Sequence, residues 1–534
     1  MNMERKDTAI ERHKPQVFLN SISFNDGTKI SLKPNSIVVF TGANNCGKSQ
    51  VLKDIELWLN GENQSPTVVI KDLDVDFIGS IDEETFLHEH FFLNSQGYYQ
   101  ILETRNAFSA IDLQHWWNQR QLANGLYTLF IKRLTTELRL TASNALDRSS
   151  RPERNAIYKL FYNESLEQEI SDYFYQAFKS DLIVNRREMQ TVPLHIGQAP
   201  DKTSFTVAQE DDYYDKISRL PKLQDQGDGM RSFASILLDT FTSQQTITLI
   251  DEPEAFLHPP QARILGKMLA KNNSSERQLL ISTHSEDFLQ GLFDADSENV
   301  LVIRINRMDN INQMSVLNNN QIKELWKSPI LRYSNILTGL FHEKVVVCES
   351  DYDCLFYQAI MNSMYEYQSE FSDDILFTHC GGKARIKDIV KALKAINVPV
   401  VAICDFDILN NSGVFRPLIE AFGLRWSEIM SAGMQSLYNE INAQNSSGSD
   451  YWALIKKTGK AGLLGTSPAE YEKVEKLCQS IGLFVVPVGE IECFDKTVNK
   501  EKKDWVYCVL EKYNLATEPK LDEARKFMQK VVSF

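Results

Sequence analysis

Two sets of residues suited to phosphate chemistry follow one another along this chain. The first is the glycine-rich run from Gly42 to Ser49, which is complemented by a later apolar run ending in Asp251 and Glu252. The second set consists of acids that follow two further apolar runs, namely Glu349, Asp353, Asp405 and Asp407. A nucleotide site followed by a group of metal-binding carboxylates predicts that one reaction controls the other.

The run from Gly42 to Ser49 has the spacing Gly-x-x-x-x-Gly-Lys-Ser and stands between an apolar segment, 37–40, and a segment with helical apolar spacing, 50–59. Glycines let backbone N–H groups curl around phosphate oxygens, and the start of the helix adds its dipole. Lys48 is expected to neutralise the outer phosphates of ATP, and the Ser49 hydroxyl is expected to bind Mg²⁺. The predicted nucleotide contacts in this loop are Gly42, Asn45, Gly47, Lys48 and Ser49.

Residues 246–250 are all β-branched or leucine, which predicts a buried strand that ends in two acids. Asp251 is expected to bind the Mg²⁺ shell, directly or through water. Glu252 is placed to orient or deprotonate the attacking water. The alternative is an acidic strand end at a surface, and the presence of Lys48 upstream makes that alternative the weaker one.

Three neighbouring segments sharpen the class of ATPase. The segment from Gly227 to Ser232, which includes Gly229, opens a helix and resembles the signature segment of ABC-type ATPases, which contacts ATP bound to the opposite subunit. Residues 252–259 resemble the stretch after the acidic strand in SMC-like ATPases. In the apolar run 279–285, His284 is placed to sense the γ-phosphate, although a histidine at a strand end is more often structural. The signature resemblance implies an ATPase that works as a head-to-tail pair.

The later acids also stand at predicted strand ends. Glu349 follows the apolar run 345–348, and the run 399–404 leads into Asp405 and Asp407. Strand ends of a parallel sheet lie side by side, so we expect these carboxylates to converge. Clustered acids repel one another unless a divalent cation neutralises them, and oxygen ligands favour Mg²⁺ or Mn²⁺ over zinc. The alternative is that each acid merely ends a buried strand at the surface.

The order of a strand-end Glu, then Gly381-Gly382, then Asp-x-Asp resembles the Toprim domain of topoisomerases, primases and nucleases. After an ABC-type ATPase, it resembles the OLD family of ATP-dependent Toprim nucleases, which includes the large subunit of the Gabija anti-phage system. The resemblance implies ATP and Mg²⁺ or Mn²⁺ as cofactors, and two-metal hydrolysis of phosphodiesters centred on Glu349 and Asp405. The implied metal ligands are Glu349, Asp353, Asp405 and Asp407. Family members often have Glu-Gly at the first element, whereas here Ser350-Asp351 follows Glu349, and Asp351 is an additional candidate ligand.

The same resemblance implies a late acid and a late lysine. Residues 484–492 resemble the late strand of the family, in which Glu492 is favoured over Glu490 as a further metal ligand. A late lysine stabilises the transition state in family nucleases. Lys503 is favoured for that role from a set that comprises Lys496, Lys500, Lys502 and Lys503.

At 534 residues the chain exceeds the size of one hydrophobic core, so two or more domains are expected. The predicted fold is α/β: an ABC-type P-loop ATPase domain, 1–80 and 218–304, followed by a Toprim-like α/β domain, 341–534. The segment 81–217 is predicted to be a helical insertion that forms an arm, a dimer contact or a DNA contact. Residues 305–340 are predicted to be a linker region. An Asp26-Gly27 pair near the start predicts a β-hairpin.

The net charge of −14 argues against non-specific nucleic-acid binding over the whole surface. The basic segment from Lys132 to Lys159, with Arg186 and Arg187 beyond it, is either a solvated helix face or a phosphate-tracking surface. The eight cysteines include no Cys-x-x-Cys pair, which argues against a disulfide framework or a structural zinc site. No apolar stretch approaches the roughly 20 residues that span a bilayer. The N-terminus has no apolar core, and cytoplasm is the expected location.

These features together predict an ATP-hydrolysing, metal-dependent DNA endonuclease of phage defence. DNA is the expected substrate, and a homodimer or higher homo-oligomer is expected to form through the ATPase domain. A helicase, or a reverse transcriptase with a non-coding RNA, is the expected defence partner. The alternative is an ATP-driven DNA clamp or sensor whose Toprim domain binds without cutting. A topoisomerase is disfavoured because no separate domain with a tyrosine nucleophile is evident.

Overall fold

The structure is a computed structural model that describes residues 13–61, 67–101, 106–122, 124–141, 144–147, 155–188, 190–201, 207–308, 311–317, 337–365, 374–445 and 450–534. The chain divides into two compact units, Met1–Asn319 and Asn320–Phe534. None of the helices in these ranges has the combination of length and hydropathy that spanning a bilayer requires.

The first unit alternates strands and helices. Its strands are β1 (Gln16–Phe24), β2 (Lys29–Ser31), β3 (Ile37–Gly42), β4 (Ile70–Ile78), β5 (Phe91–Leu93), β6 (Tyr99–Ile101), β7 (Ala107–Phe108), β8 (Ile131–Leu134), β9 (Leu146–Asp147), β10 (Asp181–Val184), β11 (Thr191–Val192), β12 (Leu194–Gly197), β13 (Ile247–Asp251), β14 (Gln278–Ser282), β15 (Val300–Met308) and β16 (Ile311–Leu317). Its helices are α1 (Lys48–Leu59), α2 (Glu84–His90), α3 (Ala110–Asn118), α4 (Thr136–Thr141), α5 (Ala156–Tyr162), α6 (Glu164–Phe178), α7 (Val207–Ser218), α8 (Asp228–Thr242), α9 (Pro259–Lys271) and α10 (Glu286–Asp294).

A six-stranded sheet with the order β16-β15-β3-β14-β13-β8 organises this unit. The strands from β15 to β8 run parallel, and β16 pairs antiparallel at the edge. Strand β3 is buried along its whole length, as expected for a parallel strand covered on both faces. The carboxyl ends of β3, β14 and β13 are neighbours, so Gly42, Ser282 and Asp251 meet at one edge of the sheet.

A second, antiparallel sheet has the order β2-β1-β4. Strand β1 pairs with β2 through Ile22 and Ile30, with Asp26 and Gly27 in the turn between them. The Asp26 carboxylate accepts hydrogen bonds from the Thr28 backbone N–H and hydroxyl, and Gly27 has a φ of 91°. The predicted hairpin is therefore confirmed.

The segment 81–217 differs from the helical insertion that the sequence predicts. It contains β5 to β12 as well as helices, and β8 enters the central sheet, where Ile131 pairs with Ile247 of β13. Helical apolar spacing rich in aromatic residues suggested helices for this segment. A four-residue strand such as β8 is too short to show the alternating hydrophobic periodicity of a strand. Part of this segment thus belongs to the central sheet.

The predicted linker region 305–340 also begins differently. Its first residues complete β15 and form β16, which pair through Ile305 and Met314. The strands cap the central sheet on the side of β3. Residues 318–336 of the predicted linker lie outside the described residues.

The second unit is built around a four-stranded parallel sheet with the order β18-β17-β19-β20. Its strands are β17 (Lys344–Cys348), β18 (Ile375–His379), β19 (Val400–Cys404) and β20 (Leu483–Val485). Its helices are α11 (Asp351–Tyr365), α12 (Ile386–Ala395), α13 (Ser412–Phe422), α14 (Trp426–Ile429), α15 (Gln435–Asn445), α16 (Tyr451–Thr458), α17 (Ser467–Gln479), α18 (Lys502–Lys512) and α19 (Asp522–Val532). The predicted α/β class is confirmed, and the neighbouring ends of β17 and β19 lead into Glu349 and Asp405.

Candidate nucleotide site and acidic cluster

The glycine loop after β3 has the backbone conformation that a phosphate cradle needs. Gly42 and Gly47 have φ values of 142° and 103°, which L side chains rarely adopt, and Asn45 is also left-handed at 61°. A Cβ atom on Gly42 would stand 2.2 Å from the carbonyl oxygen of Ile305. Glycine is therefore required at position 42 by both conformation and space.

Lys48 and Ser49 open α1 and point into this loop. The Lys48 ammonium donates to the carbonyl oxygens of Gly42 at 2.9 Å and Ala43 at 2.8 Å, and its side chain is buried. The Ser49 hydroxyl donates to Oδ1 of Asp251 at 2.8 Å. Residues 202 positions apart thus meet where a Mg²⁺ ion would need a hydroxyl and a carboxylate together.

Glu252 follows β13 in a left-handed conformation, with a φ of 48°. Its side chain is 42% exposed, and its Oε1 lies 3.5 Å from Nδ1 of His284. The structure therefore brings the predicted water-orienting acid and the predicted γ-phosphate sensor together. Both residues stand beside Asp251 at the same sheet edge.

Glu254 is a residue that the sequence reasoning passed over. Its carboxylate is buried and accepts hydrogen bonds from the Thr283 hydroxyl at 2.8 Å and the His284 backbone N–H at 2.9 Å. Burial raises the pKa of Glu254, and hydrogen bonding to His284 opposes that rise. Glu254 therefore anchors the loop that carries His284. A Glu-x-Glu pattern after an acidic strand was the available signal.

The signature-like segment starts α8 within close reach of the loop after β13. A Cβ atom on Gly229 would stand 2.6 Å from the carbonyl oxygen of Phe256, whereas one on Gly227 would meet nothing within 4 Å. Phe256 itself is left-handed, with a φ of 69°. The start of α8 can lie this close to Phe256 only because position 229 lacks a side chain.

Gly229→Ala is therefore expected to push the first turn of α8 away from Phe256. We expect the steady-state rate of ATP hydrolysis to fall by about tenfold or more, which corresponds to roughly 1.4 kcal/mol of lost transition-state stabilisation. The matched control is Gly227→Ala, because the space around Gly227 is open and its φ is −62°. Equal rates for the two variants would contradict the prediction.

The described cations of the predicted basic segment have partners within the fold. Lys132 pairs with Asp239, Arg133 pairs with Glu56 at 2.7 Å, and Lys159 donates to the Thr242 carbonyl oxygen. Arg186 and Arg187 pair with Glu167 and Asp211. Arg148, Arg151 and Arg154 lie outside the described residues. The described cations of the segment thus have partners within the fold, and the side chains of Lys132 and Arg187 remain 43% and 40% exposed.

In the second unit, the acids after β17 and β19 converge. Oε1 of Glu349 accepts a hydrogen bond from the Asp405 backbone N–H at 3.2 Å. Asp353 accepts from the Ser350 backbone N–H and hydroxyl, both at 2.9 Å, at the start of α11. Two segments 56 positions apart in the chain are thereby joined at one sheet edge.

The pKa values of these acids are raised because the acids lie close to one another. Burial and the charge of Asp407 raise the pKa of Glu349 to about 7. The pKa of Asp405 lies well above its usual range because of burial and the charges of Glu349, Asp353, Glu490 and Asp407. Burial also raises the pKa of Asp353, and Glu492 and Asp351 contribute to that rise. The carboxylates destabilise one another's charged form, which is the condition that a divalent cation relieves.

Two lysines occupy part of this acidic cluster. Lys383 Nζ lies 2.7 Å from Oδ1 of Asp407. Lys456 Nζ lies 3.0 Å from Oε1 of Glu490 and 3.5 Å from Oδ2 of Asp407. In the described part of the chain, no three His, Cys, Asp or Glu side chains already stand close enough together to hold a metal ion. Carboxylate oxygens are ligands that suit Mg²⁺ or Mn²⁺. Ion binding would require the carboxylates to rotate and the two lysines to move away from them.

The two late acids and the late lysine have different surroundings in the structure. Glu490 faces Lys456 and raises the pKa of Asp405, whereas Glu492 accepts from the Lys502 backbone N–H at 3.0 Å and faces Asp353. Both late acids therefore adjoin the cluster, on different sides. Lys503 is exposed on α18, with its Nζ 5.7 Å from the ring centre of Tyr507. The structure brings Lys383 and Lys456, rather than Lys503, into contact with the acids.

The raised pKa of Glu349 predicts a pH-dependent stability difference. Between the pKa of Glu349 in the unfolded chain and its folded value near 7, the folded protein binds more protons and loses stability as the pH rises. Glu349→Gln removes this loss. In EDTA at pH 8, we expect the variant to be more stable than the natural protein by on the order of 2 kcal/mol, and about equally stable at pH 5.

Urea unfolding at the two pH values measures this difference. Glu472→Gln, at an exposed position on α17, is the control and should change stability by less than about 0.5 kcal/mol at either pH. A Glu349→Gln effect of the same size at pH 5 and pH 8 would show that the carboxyl does not titrate in this range.

Two family profiles match the chain. Residues 37–289 match a profile described as an AAA domain with a suggested link to the AbiEii toxin of a type IV TA system. Residues 340–407 match the profile of the TOPRIM domain of overcoming lysogenization defect protein-like proteins. The first range runs from β3 into α10, and the second covers the four early acids.

Two curated proteins are similar to part of the chain. The OLD nuclease of Thermus scotoductus is 28% identical over 172 residues, which are 30% of this chain and 30% of that protein. The Old nuclease of Escherichia phage P2 is 26% identical over 172 residues, or 31% of this chain and 28% of that protein. The chain thus matches less than a third of the length of each relative.

Among solved structures, an SMC head bound to the C-winged helix domain of ScpA covers 57% of this chain and 99% of its own, with 12% identity and a TM-score of 0.35. The SMC head domain from Thermotoga maritima also covers 57% of this chain and 99% of its own, with 10% identity and a TM-score of 0.29. At these scores the likeness supports no inference about assembly or ligands.

Proposed function

Because this chain belongs to the OLD family, which joins an ATPase domain to a Toprim domain, we propose that it is an ATP-hydrolysing, divalent-metal-dependent DNA endonuclease whose cleavage is controlled by nucleotide state. The observation that carries the proposal is the convergence of half-buried acids around Asp405. The profile matches and the two relatives named OLD nucleases support it further.

Contacts within the glycine loop support the proposed ATP hydrolysis. Lys48 now donates to two loop carbonyls, and arriving phosphates would replace these weaker acceptors with charged oxygens. Ser49 and Asp251 would hold Mg²⁺. Glu252 would orient or deprotonate the attacking water, and His284 would contact the γ-phosphate.

The nuclease half follows from the acidic cluster. Glu349, Asp353, Asp405 and Asp407 would hold divalent ions, with Glu490 or Glu492 completing the set. When bound, such ions activate water and stabilise the leaving oxygen of a phosphodiester. The chain's own part is to gather the carboxylates at one sheet edge. We propose Lys456 in place of Lys503 as the lysine that stabilises the transition state. Lys456 contacts both Asp407 and Glu490. When ions bind, they would neutralise these two acids and leave the Lys456 ammonium free to contact the phosphodiester.

The biological role that we propose is phage defence, in the cytoplasm, by a homodimer or higher oligomer assembled through the ATPase domain. The signature-like start of α8 supports pairing, because that segment serves an ATP bound to another copy in the ATPases that it resembles. A helicase, or a reverse transcriptase with a non-coding RNA, is the proposed partner. Its support is the family resemblance alone.

Incubation of purified protein with supercoiled plasmid tests the proposed activity. With Mn²⁺ or Mg²⁺, and with and without ATP, we expect nicked or linear plasmid in at least one nucleotide condition, and none in EDTA. A plasmid that stays supercoiled in every condition would contradict the nuclease proposal.

One observation favours a second candidate function. Lys383 and Lys456 already neutralise Asp407, which would suit an ATP-driven DNA clamp or sensor whose Toprim domain binds without cutting. In the same plasmid experiment, a clamp would retard the DNA in a native gel in an ATP-dependent manner and leave it uncut.

A further inference from the structure

Arg139 on α4 is a fully buried arginine in which every N–H group has a partner. Its Nε donates to the Ser232 hydroxyl at 3.0 Å. Nη1 donates to the carbonyl oxygens of Leu134 at 3.2 Å and Asp251 at 2.6 Å, and Nη2 donates to the Thr136 hydroxyl at 3.3 Å and the Glu252 carbonyl oxygen at 2.9 Å. A guanidinium has five N–H donors, and all five are used here.

Three of the five acceptors of Arg139 belong to two functional segments. Asp251 and Glu252 are the acids proposed for the Mg²⁺ ion and the attacking water of the nucleotide bound by the same chain. Ser232 lies in the first turns of α8, behind Gly229, in the segment proposed to reach a nucleotide on another copy. Ser232 is itself fully buried, so it serves α8 internally and cannot contact a nucleotide.

The bond to Glu252 also holds an unfavourable backbone conformation. Glu252 has a φ of 48°, which costs a non-glycine residue conformational energy, and its carbonyl oxygen is fixed by Nη2 of Arg139. A shift of α8 would pull on Nε of the same rigid, planar group. Because the guanidinium cannot bend, movement at Ser232 is transmitted to the backbone that aims the Glu252 carboxylate.

We propose that Arg139 is a positioning residue that couples the two nucleotide sites of an ATPase pair. It links the acids that act on one nucleotide to the segment that senses the other, so that closure at one site sets the geometry for hydrolysis at both. This inference rests on the proposed function, because it requires ATP to be bound between two copies of the chain.

The test measures ATP hydrolysis against ATP concentration, together with the equilibrium affinity for a fluorescent ATP analogue. Arg139→Lys keeps the charge but cannot make the five bonds, and Ser232→Ala removes only the bond to α8. We expect the natural protein to hydrolyse ATP with a Hill coefficient above 1. Both variants should have a Hill coefficient near 1 and a kcat lowered by about tenfold, with nucleotide affinity changed by less than about twofold.

A control separates this role from simple packing. Arg277 is another buried arginine of the first unit, and its Nη1 donates to the Thr240 carbonyl oxygen at 2.8 Å, away from the nucleotide loop. Arg277→Lys should lower thermal stability without changing the Hill coefficient. The inference is overturned if Ser232→Ala keeps the natural Hill coefficient, if nucleotide affinity falls together with kcat, or if the natural protein hydrolyses ATP without cooperativity. A natural protein that neither binds nor hydrolyses ATP would instead contradict the proposed function.

Discussion

Asp405→Ala is expected to reduce metal-dependent plasmid cleavage by about a thousandfold or more, while ATP hydrolysis stays within about twofold of the natural rate. Asp405 is the acid of the cluster whose pKa four other acids raise. Its removal takes away the carboxylate that most of the others face. The measurement compares the rate of supercoiled plasmid loss in Mn²⁺ with the rate of phosphate release from ATP.

Unfolding cannot account for this loss. Repulsion within the cluster opposes the charged form of Asp405, so the metal-free variant should be at least as stable as the natural protein at pH 8. Asp388→Ala, at an exposed position on α12, is the matched control and should cleave normally. Cleavage by Asp405→Ala at the natural rate would sink the nuclease assignment and leave the clamp as the better explanation.

Glu252→Gln is expected to lower ATP hydrolysis by about a hundredfold or more without weakening ATP binding. Glutamine keeps the shape of the side chain and the left-handed backbone, but it cannot take a proton from the attacking water. The contact of Glu252 with Nδ1 of His284 becomes a neutral one, so only the chemical step should suffer. The measurements are phosphate release and equilibrium binding of a labelled ATP analogue.

Glu169→Gln, at an exposed position on α6, serves as the control for a neutralised glutamate in the same unit. Natural turnover by Glu252→Gln would transfer the base role to another residue. The same variant also reports the direction of control over DNA. Plasmid cleavage by ATP-loaded Glu252→Gln means that bound ATP suffices, whereas cleavage restricted to the natural protein means that hydrolysis is needed.

The backbone geometry of the loop from Gly42 to Ser49 was predictable from the sequence. Its function depends on local backbone geometry, so the required glycines stand at fixed spacing in the chain. The left-handed φ values of Gly42, Asn45 and Gly47 and the Ser49–Asp251 contact agree with that expectation. The strand before Asp251 was equally predictable, because a run of β-branched residues favours a strand.

Arg139 and β8 were not predictable in the same way. Arg139 stands within a basic run, and basic runs usually belong to solvated surfaces. Its burial follows only when β8 joins the sheet beside β13 and places α4 under the ends of two functional segments. A charged residue can be buried when the surrounding fold supplies an acceptor for each of its hydrogen-bond donors. The residues next to it in the sequence do not show whether that condition is met.

The lysine near the acids is a second example. The family resemblance pointed to the late set around Lys503, yet that side chain lies on the exposed side of α18. Lys456 reaches Asp407 and Glu490 from α16, which precedes β20 in the chain. Contacts of this kind depend on how helices pack against the sheet, and spacing along the chain does not encode them.

The sequence by itself therefore determined the fold class, the glycine loop from Gly42 to Ser49 and the acids at the strand ends. Neighbouring residues in the chain specify these features. A short glycine motif permits only one backbone geometry, and an apolar run is stable only when it is buried. The tertiary structure decided which cations accompany the acids, the place of β8, and the link from Asp251 and Glu252 to α8. Those features arise between segments distant in the chain, where pairing of charges and donors depends on the packed fold as a whole.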